Sequence, residues 1–371
     1  MKKKVGIVTF YSSASYGATL QSLATYITLK NMGFDCEFVN YKNKYEQNKN
    51  KIQRKNIIGK IKYSIRECKS FLLMNKYWKN KSFGDVYSLY DNKISKNVYN
   101  SIEELENEEY DILLSGSDQI WNPIITGGID EFYLLNFGKC KKRVSYASSL
   151  GSYILTDDDK KVFEKCINNI NEISVREKHA KEQLEQITNK DIKIVIDPTL
   201  LLSKEEWLEF FKDKKCNYDK FEQKYILAYF VGGKSDIYYK EINELKEKTG
   251  LPIYEIHINK HKRHFIDKVL PGVNIADFIN LINNSEYFIT DSFHGVVFSL
   301  ILEKKFVPLK NKKNPIRVRE LLEKVGLDER LDNIQLYDDS IDYAKISNCL
   351  EKLRIESYNW LKKALEDKNE E

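Results

Sequence analysis

Short apolar runs alternate with stretches of helical periodicity along the first two hundred residues. Val5–Phe10 is a run of strand length. After a turn rich in Ser, Tyr and Gly, the residues Leu20, Leu23, Ala24 and Ile27 recur on one helical face, and the pattern stops at Gly33, where a glycine cap fits. Cys36–Val39, Ile112–Leu114 and Arg143–Ala147 read as further strands, and Ser101 with Glu104 spells a capping box. Ile173–Val175, a helix over Glu177–Ile187 and Ile192–Ile196 make a compact βαβ unit. An aperiodic charged stretch, Asp213–Lys224, then interrupts the pattern. Beyond it come strands at Tyr225–Val231, Pro252–Ile258, Tyr287–Thr290 and Phe306–Leu309, with helices over Ile237–Thr249, Ile275–Asn284, Gly295–Leu302 and Ile316–Val325. The last 30 or so residues predict a helix with an acidic tail.

Alternation of this kind predicts an α/β protein with two mostly parallel sheets, each covered by helices on both faces. The expected layout is GT-B-like: two Rossmann-like domains facing across a cleft, with the C-terminal helix packing back on the first. The expected divisions are 1–212 for the first domain (with a basic helical insert at about 42–100), 213–224 for the linker, 225–338 for the second domain, and 339–371 for the helix and tail. In such folds ligands bind beyond the carboxyl ends of the strands, here inside the cleft.

The composition fits that picture and narrows it. Of the 371 residues, 42 % are hydrophobic and 31 % charged, a globular balance. No apolar run approaches the ~20 residues that span a bilayer. The first residues, Met1 and Lys2–Lys4 before a six-residue apolar run, are too short for a secretory leader, so a cytoplasmic location is expected. Six scattered cysteines without a CxxC pair exclude a zinc ribbon or thioredoxin-type site.

Candidate chemistry sits in the turns after strands. Ser15, Tyr16 and Gly17 open the first helix, where free N–H groups attract anions and a glycine permits close approach; a plain serine cap is the alternative. The loop Ser115–Pro123 holds Ser117, Asp118, Trp121 and Asn122, a set suited to a sugar stacked on the indole with its hydroxyls on Asp118 and Asn122. The same loop also reads as an Asx-type turn with Trp121 in the core. Arg176 follows a strand directly and opens a helix, an arrangement for phosphate or carboxylate, or for a surface ion pair with Glu172 or Glu177. His294, in Thr290–Gly295, is placed to move protons, with Asp291 or a backbone carbonyl fixing its tautomer, or else is a satisfied structural histidine. His261 and His264 lie in a Lys/Arg-rich loop without accompanying carboxylates, which favours a phosphate contact over a metal site.

At these residues the chain resembles the polysaccharide pyruvyl transferase family. The resemblance covers about residues 3–330, weakest across 42–100, and rests on an ordered series. SYGATLQSLA comes first, then GSDQIWNP, FYLLNF, RVSYASSLG, ISVRE and VIDPTLLL, and last ITDSFHGVVFSLILEKKFVPL. It implies transfer of a pyruvyl group from phosphoenolpyruvate onto two hydroxyls of a saccharide, as a cyclic ketal, in cell-surface polysaccharide biosynthesis. It implies no metal and no organic cofactor; a formal charge of +5 is too small to imply a nucleic-acid partner, and none is expected. By motif, His294 would be the acid/base residue and Arg176 the anion grip, while Asp118 and the Ser15–Gly17 turn would line the cleft. The sequence departs from the family's RxH pattern by carrying Ser292 where an Arg is common, so Arg317, Arg319 or the basic loop would have to supply a second clamp. It also has Ser15 where many relatives have Asn. A GT-B glycosyltransferase using a nucleotide sugar and a non-catalytic component of a polysaccharide assembly complex stay open as alternatives.

The formal charge of +5 hides an uneven distribution. Lys42–Lys81 holds 13 basic and two acidic residues, which leaves the rest of the chain net acidic. Ile58, Ile61, Ile65, Cys68 and Leu72 recur at helical spacing there. A basic helix over 51–79 suits peripheral contact with an anionic membrane at its inner face, where a lipid-linked acceptor would be presented; a helix packed on the sheet, or a lid beside the cleft, is the alternative.

Overall fold

Six strands, apolar at their buried positions because helices cover the sheet, build the first half: β1 (Lys4–Val8), β2 (Asp35–Phe38), β3 (Glu109–Ser115), β4 (Lys139–Ser148), β5 (Glu172–Val175) and β6 (Ile192–Ile194). In the computed structural model, which describes residues 2–43, 45, 76–218, 220–232, 236–257, 265–311 and 315–366, they pair in the order β2-β1-β3-β4-β5-β6, all parallel. Helices α1 (Tyr16–Asn31), α2 (Asp157–Ile167), α3 (Lys178–Leu184) and α4 (Lys204–Phe211) belong to this half. The second half has β7 (Ile226–Tyr229), β8 (Ile253–Ile256), β9 (Lys268–Leu270), β10 (Tyr287–Thr290) and β11 (Lys305–Pro308), in the parallel order β11-β10-β7-β8-β9. Its helices are α5 (Asp236–Thr249), α6 (Ile275–Asn284), α7 (Phe293–Ile301) and α8 (Pro315–Val325).

Both sheets reverse strand order once, between β1 and β3 and between β7 and β10. The turns beyond these switch points hold the Ser-rich, GSD and SFHG segments, so topology alone gathers the candidate motifs at one crevice. The two halves are joined by packing. Tyr16, at the start of α1, stacks on Phe278 of α6 (4.4 Å, 7° between planes) and donates its hydroxyl to the Val273 carbonyl at 2.8 Å. Burial of such a ring removes about 150–250 Å² from water, which makes Tyr16 a main wedge between the sheets. The final helix α9 (Tyr343–Leu365) returns to the first half. Ser357 Oγ accepts from the Ile196 N–H at 3.1 Å, and Arg354 Nε donates to the Leu200 carbonyl at 2.9 Å.

Several elements differ from the sequence expectation. Ser101 and Glu104 form no capping box: only a 3-10 turn, Glu103–Leu105, follows, and Glu104 accepts instead from the Asn100 N–H at 2.8 Å. The residues beyond it, Glu106–Glu109, offer no apolar stripe to bury, so no helix is held there. Conversely, α2 and α4 begin with complete capping boxes, Thr156 with Asp159 and Ser203 with Glu206. The described residues of 213–224 carry no helix or strand, yet the Asn217 and Tyr218 N–H groups donate to Asp277 at 2.8 and 2.9 Å, which ties this stretch to the first turn of α6. The amphipathic pattern Ile58–Leu72 lies outside the described residues; residues 76–83 of the basic segment are helical.

Candidate active site

Three turns of the first half converge on one carboxylate. Asp197, just past β6, caps the 3-10 turn Pro198–Leu201: Oδ1 accepts from Thr199 N at 3.0 Å and Thr199 Oγ1 at 2.6 Å. Its Oδ2 receives Arg176 Nη1 at 2.6 Å from the end of β5 and Ser117 Oγ at 3.1 Å from the end of β3. Ser117 is fixed in turn by its N–H on Gln21 Oε1 of α1 at 3.0 Å. Gly116, at φ +115°, is required here, since a Cβ would stand 1.9 Å from the Tyr146 carbonyl of β4. Arg176 also donates Nε to Glu177 Oε1 at 3.0 Å, and Glu177 accepts from Ser149 Oγ at 2.6 Å.

The second half supplies the opposing wall. Ser292 caps α7 by accepting from Gly295 N at 3.2 Å, and the first turn carries Phe293 and His294. His294 Nε2 lies 3.7 Å from Asp197 Oδ2. Its Nδ1 side faces α1 so closely that a Cβ on Gly17 would stand 2.1 Å away, and that contact is why Gly17 has to be glycine. The Phe293 ring receives two guanidinium groups, Arg176 at 4.7 Å and Arg317 of α8 at 5.4 Å from its centroid. Arg317 Nη1 reaches across to Asp118 Oδ1 at 3.9 Å.

These charges are mutually set. Burial alone would raise the Asp197 carboxyl, but His294 and Arg176 outweigh it and hold it well below the ordinary carboxylate range. Burial opposes the charge on Arg176, and Glu177 and Asp197 overcome it, so its pKa is raised. For Arg317 the balance is reversed: burial first, then the like charge of Arg176, outweigh Asp118, Glu177 and Asp197 and push it down to about 10. Among the described residues, Arg176 Nη2, Arg317 Nε, Glu177 Oε2 and His294 Nε2 are buried without a hydrogen-bond partner. A small cavity of about 20 Å³ is lined by Arg176, Glu177, Asp197, Phe293 and Arg317. The cluster therefore joins an imidazole to two guanidinium groups that each keep a buried N–H group without a partner.

A family model for polysaccharide pyruvyl transferase matches residues 16–313, a span that includes every residue named in this cluster except Arg317. The chain belongs to the polysaccharide pyruvyl transferase family. No curated protein matches the sequence significantly. Among solved structures, the chain is similar to a protein assigned as a UDP-N-acetylglucosamine 2-epimerase from Listeria monocytogenes, at 14 % identity and TM-score 0.50, over 95 % of this chain and 91 % of that one. It is likewise similar to S. aureus MnaA solved with UDP, at 13 % identity and TM-score 0.50, over 97 % and 91 %. At such identities the likeness concerns the GT-B fold.

Within this pyruvyl transferase family fold, the expected site residues part company. Arg176, Asp118, His294, Ser117, Gly17 and Arg317 come together, with Ser292 as the cap beneath His294. Arg319, the other candidate clamp on α8, is exposed. Trp121 is only 2 % exposed; its ring packs edge-on against Phe163 and its indole N–H donates to the Tyr133 carbonyl at 3.0 Å, so no ring face is open to a sugar. Asn122 caps the single turn Pro123–Thr126 by accepting from Ile124 N and donates to Gln119 Oε1. Tyr16 is the inter-sheet wedge, and Ser15 stays exposed with no side-chain capping bond. Asp291 does not face His294's tautomer: its two oxygens accept from Val231 N and Gly232 N, each at 2.7 Å, and Asp197 is the carboxylate at the imidazole. Sequence reasoning does not single out Asp197, and it reads Glu177 only as a partner of Arg176 in a surface ion pair, whereas that pair is buried. The available signal was an acid directly after a short buried strand in Ile192–Ile196, the same position that drew notice to Arg176. His261 and His264 lie outside the described residues. Among the described residues no group of three or more His, Cys, Asp or Glu is placed to hold a metal, and no helix is long and apolar enough to cross a membrane.

Proposed function

We propose that this member of the family transfers pyruvate from phosphoenolpyruvate to two hydroxyls of a saccharide, forming a cyclic ketal and releasing phosphate, in cell-surface polysaccharide synthesis. The observation that supports it most is His294 between Asp197 and Gly17, flanked by two guanidinium groups with unpartnered buried N–H groups. Arg176 Nη2 and Arg317 Nε take the donor's carboxylate and phosphate oxygens as charge-assisted hydrogen bonds. The first acceptor hydroxyl adds to C2 of the enol phosphate, losing its proton, while C3 gains one and becomes a methyl group. The second hydroxyl then displaces phosphate from C2 and closes the ring. Each hydroxyl gives up one proton: one of the two is kept at C3, and the other departs with phosphate or to solvent. His294 carries the proton between hydroxyl and C3, a role worth roughly 10²–10⁴-fold in rate. Asp197 orients the imidazole and Arg176 together, and Asp118 bonds an acceptor hydroxyl. The scheme balances without a cofactor.

Incubation with phosphoenolpyruvate and a panel of free, nucleotide-linked and lipid-linked saccharides tests it, read by mass spectrometry of the saccharide and by phosphate release. A ketal formed by the wild type and lost in His294→Ala is expected. Consumption of a nucleotide sugar with no response to phosphoenolpyruvate would replace this reading with glycosyl transfer.

A further inference from the structure

A second, larger cavity shares the first turn of α1 with the His294 cluster. It measures about 500 Å³, within the range of small-molecule sites. Tyr16, Phe83 and Tyr229 form aromatic walls, Lys76, Lys79 and His257 add polar and cationic groups, and Ser15 lies at its edge. None of its described lining residues is acidic. Lys76 and Lys79 are exposed and stand in no ion pair among the described residues. The α1 turn that borders it has a serine cap with no side-chain hydrogen bond and no acidic residue in its first turn, so its leading N–H groups are left for an anion. Two uncompensated lysines, a helix start and aromatic walls select one ligand chemistry: a ring-bearing anion, with phosphate at one end and a sugar at the other. One residue further along α1, Gly17 touches His294.

We propose that this cavity holds the phosphate-bearing end of the saccharide acceptor. Lys76, Lys79 and the start of α1 take the phosphate or diphosphate, the aromatic walls take the sugar, and its hydroxyls are presented past Gly17 to His294. The inference rests on the pyruvyl-transfer reading for the identity of the ligand as acceptor. Nucleotide-linked and lipid-linked saccharides share the chemistry, and the test separates them.

Binding is measured by calorimetry, without phosphoenolpyruvate, for a nucleoside diphosphate hexose, a short-chain polyprenyl diphosphate hexose and the free hexose. The wild type is expected to bind at least one diphosphate form about tenfold or more tighter than the free sugar. Lys76→Ala/Lys79→Ala should lose about tenfold of that preference, and Lys76→Arg/Lys79→Arg should keep most of it. Whichever diphosphate form binds identifies the carrier. Equal affinity for phosphorylated and free sugar, absence of any phosphate-dependent binding, or a double alanine variant with wild-type affinities overturns the proposal. Phosphate-dependent binding that survives in a protein making no ketal would count against the reaction and not against the site.

Discussion

Around Asp197 every cation has a carboxylate nearby: Arg176 between Glu177 and Asp197, Arg317 facing Asp118. Around the outer cavity Lys76 and Lys79 have none among the described residues. Burial explains the contrast. Arg176 is 5 % exposed and Asp197 1 %, and an unpaired charge at such depth costs several kcal/mol, so the chain has to carry its own counter-ions. The lysines lie in water and can wait for a ligand's charge at little expense. The inner cluster is thus organised before a substrate arrives, as transition-state stabilisation requires. The proposed role of the outer cavity is recruitment.

The largest expected effect comes from breaking the inner balance. Asp197→Asn keeps the shape and the contacts to Thr199 and Ser117 but strands Arg176 beside Glu177 alone. Removing one partner of a buried pair costs about 3–5 kcal/mol, and the retained contacts place this variant near the lower end. Urea denaturation reads it as a lower midpoint. Because the folded carboxyl is depressed, its contribution is complete above the unfolded value of about 3.9 and is lost as pH falls below that toward the folded value. The wild type should therefore lose stability more steeply below pH ~4 than the variant does. Equal midpoints and parallel acid limbs would mean the cluster is not balanced as described.

Gly17→Ala acts on the seam between the two regions. Its Cβ would stand 2.1 Å from His294 Nδ1, so the imidazole has to move, while alanine favours the helix by about 1 kcal/mol over glycine. Stability should change by less than about 2 kcal/mol. Ketal formation should fall about 100-fold, the usual result of misplacing a catalytic group by an ångström. Saccharide binding in the outer cavity should stay within a few-fold. A variant with normal turnover would detach His294 from the chemistry.

How far the sequence reveals these regions follows from what periodicity measures. Strands such as Tyr287–Thr290 are legible because a short apolar run between a helix end and a polar turn has few other uses. Helices α2 and α4 are less so, since their apolar faces are brief and the sequence pattern of the capping box that opens them also occurs at Ser101, where no apolar stripe follows and no box forms. Arg176, Gly17 and His294 are visible as chemistry at strand ends or helix starts. Their meeting is not, because Gly17 and His294 lie on different halves and only the packing of α1 against α7 joins them. Trp121 shows the converse limit. Loop sequence cannot say which way an indole points, and here Phe163 and the Tyr133 carbonyl claim it. Asp197 is not legible because its importance lies in partners drawn from distant strand ends, Ser117, Arg176 and His294.

Ionic strength gives the smallest effect and the sharpest separation of the two regions. The Debye length falls from about 10 Å at 0.1 M salt to about 3 Å at 1 M, which screens exposed lysines and leaves buried pairs nearly untouched. Affinity for a nucleoside diphosphate hexose or its polyprenyl counterpart should weaken several-fold over that range, and the Lys76→Ala/Lys79→Ala variant should show a shallower dependence. The stability gap between the wild type and Asp197→Asn should hardly change over the same range. If that gap closes with salt, solvent reaches Asp197 and the inner cluster is an exposed site like the outer one. If binding is flat in salt, the lysines do not carry the phosphate and the outer cavity selects its ligand by shape.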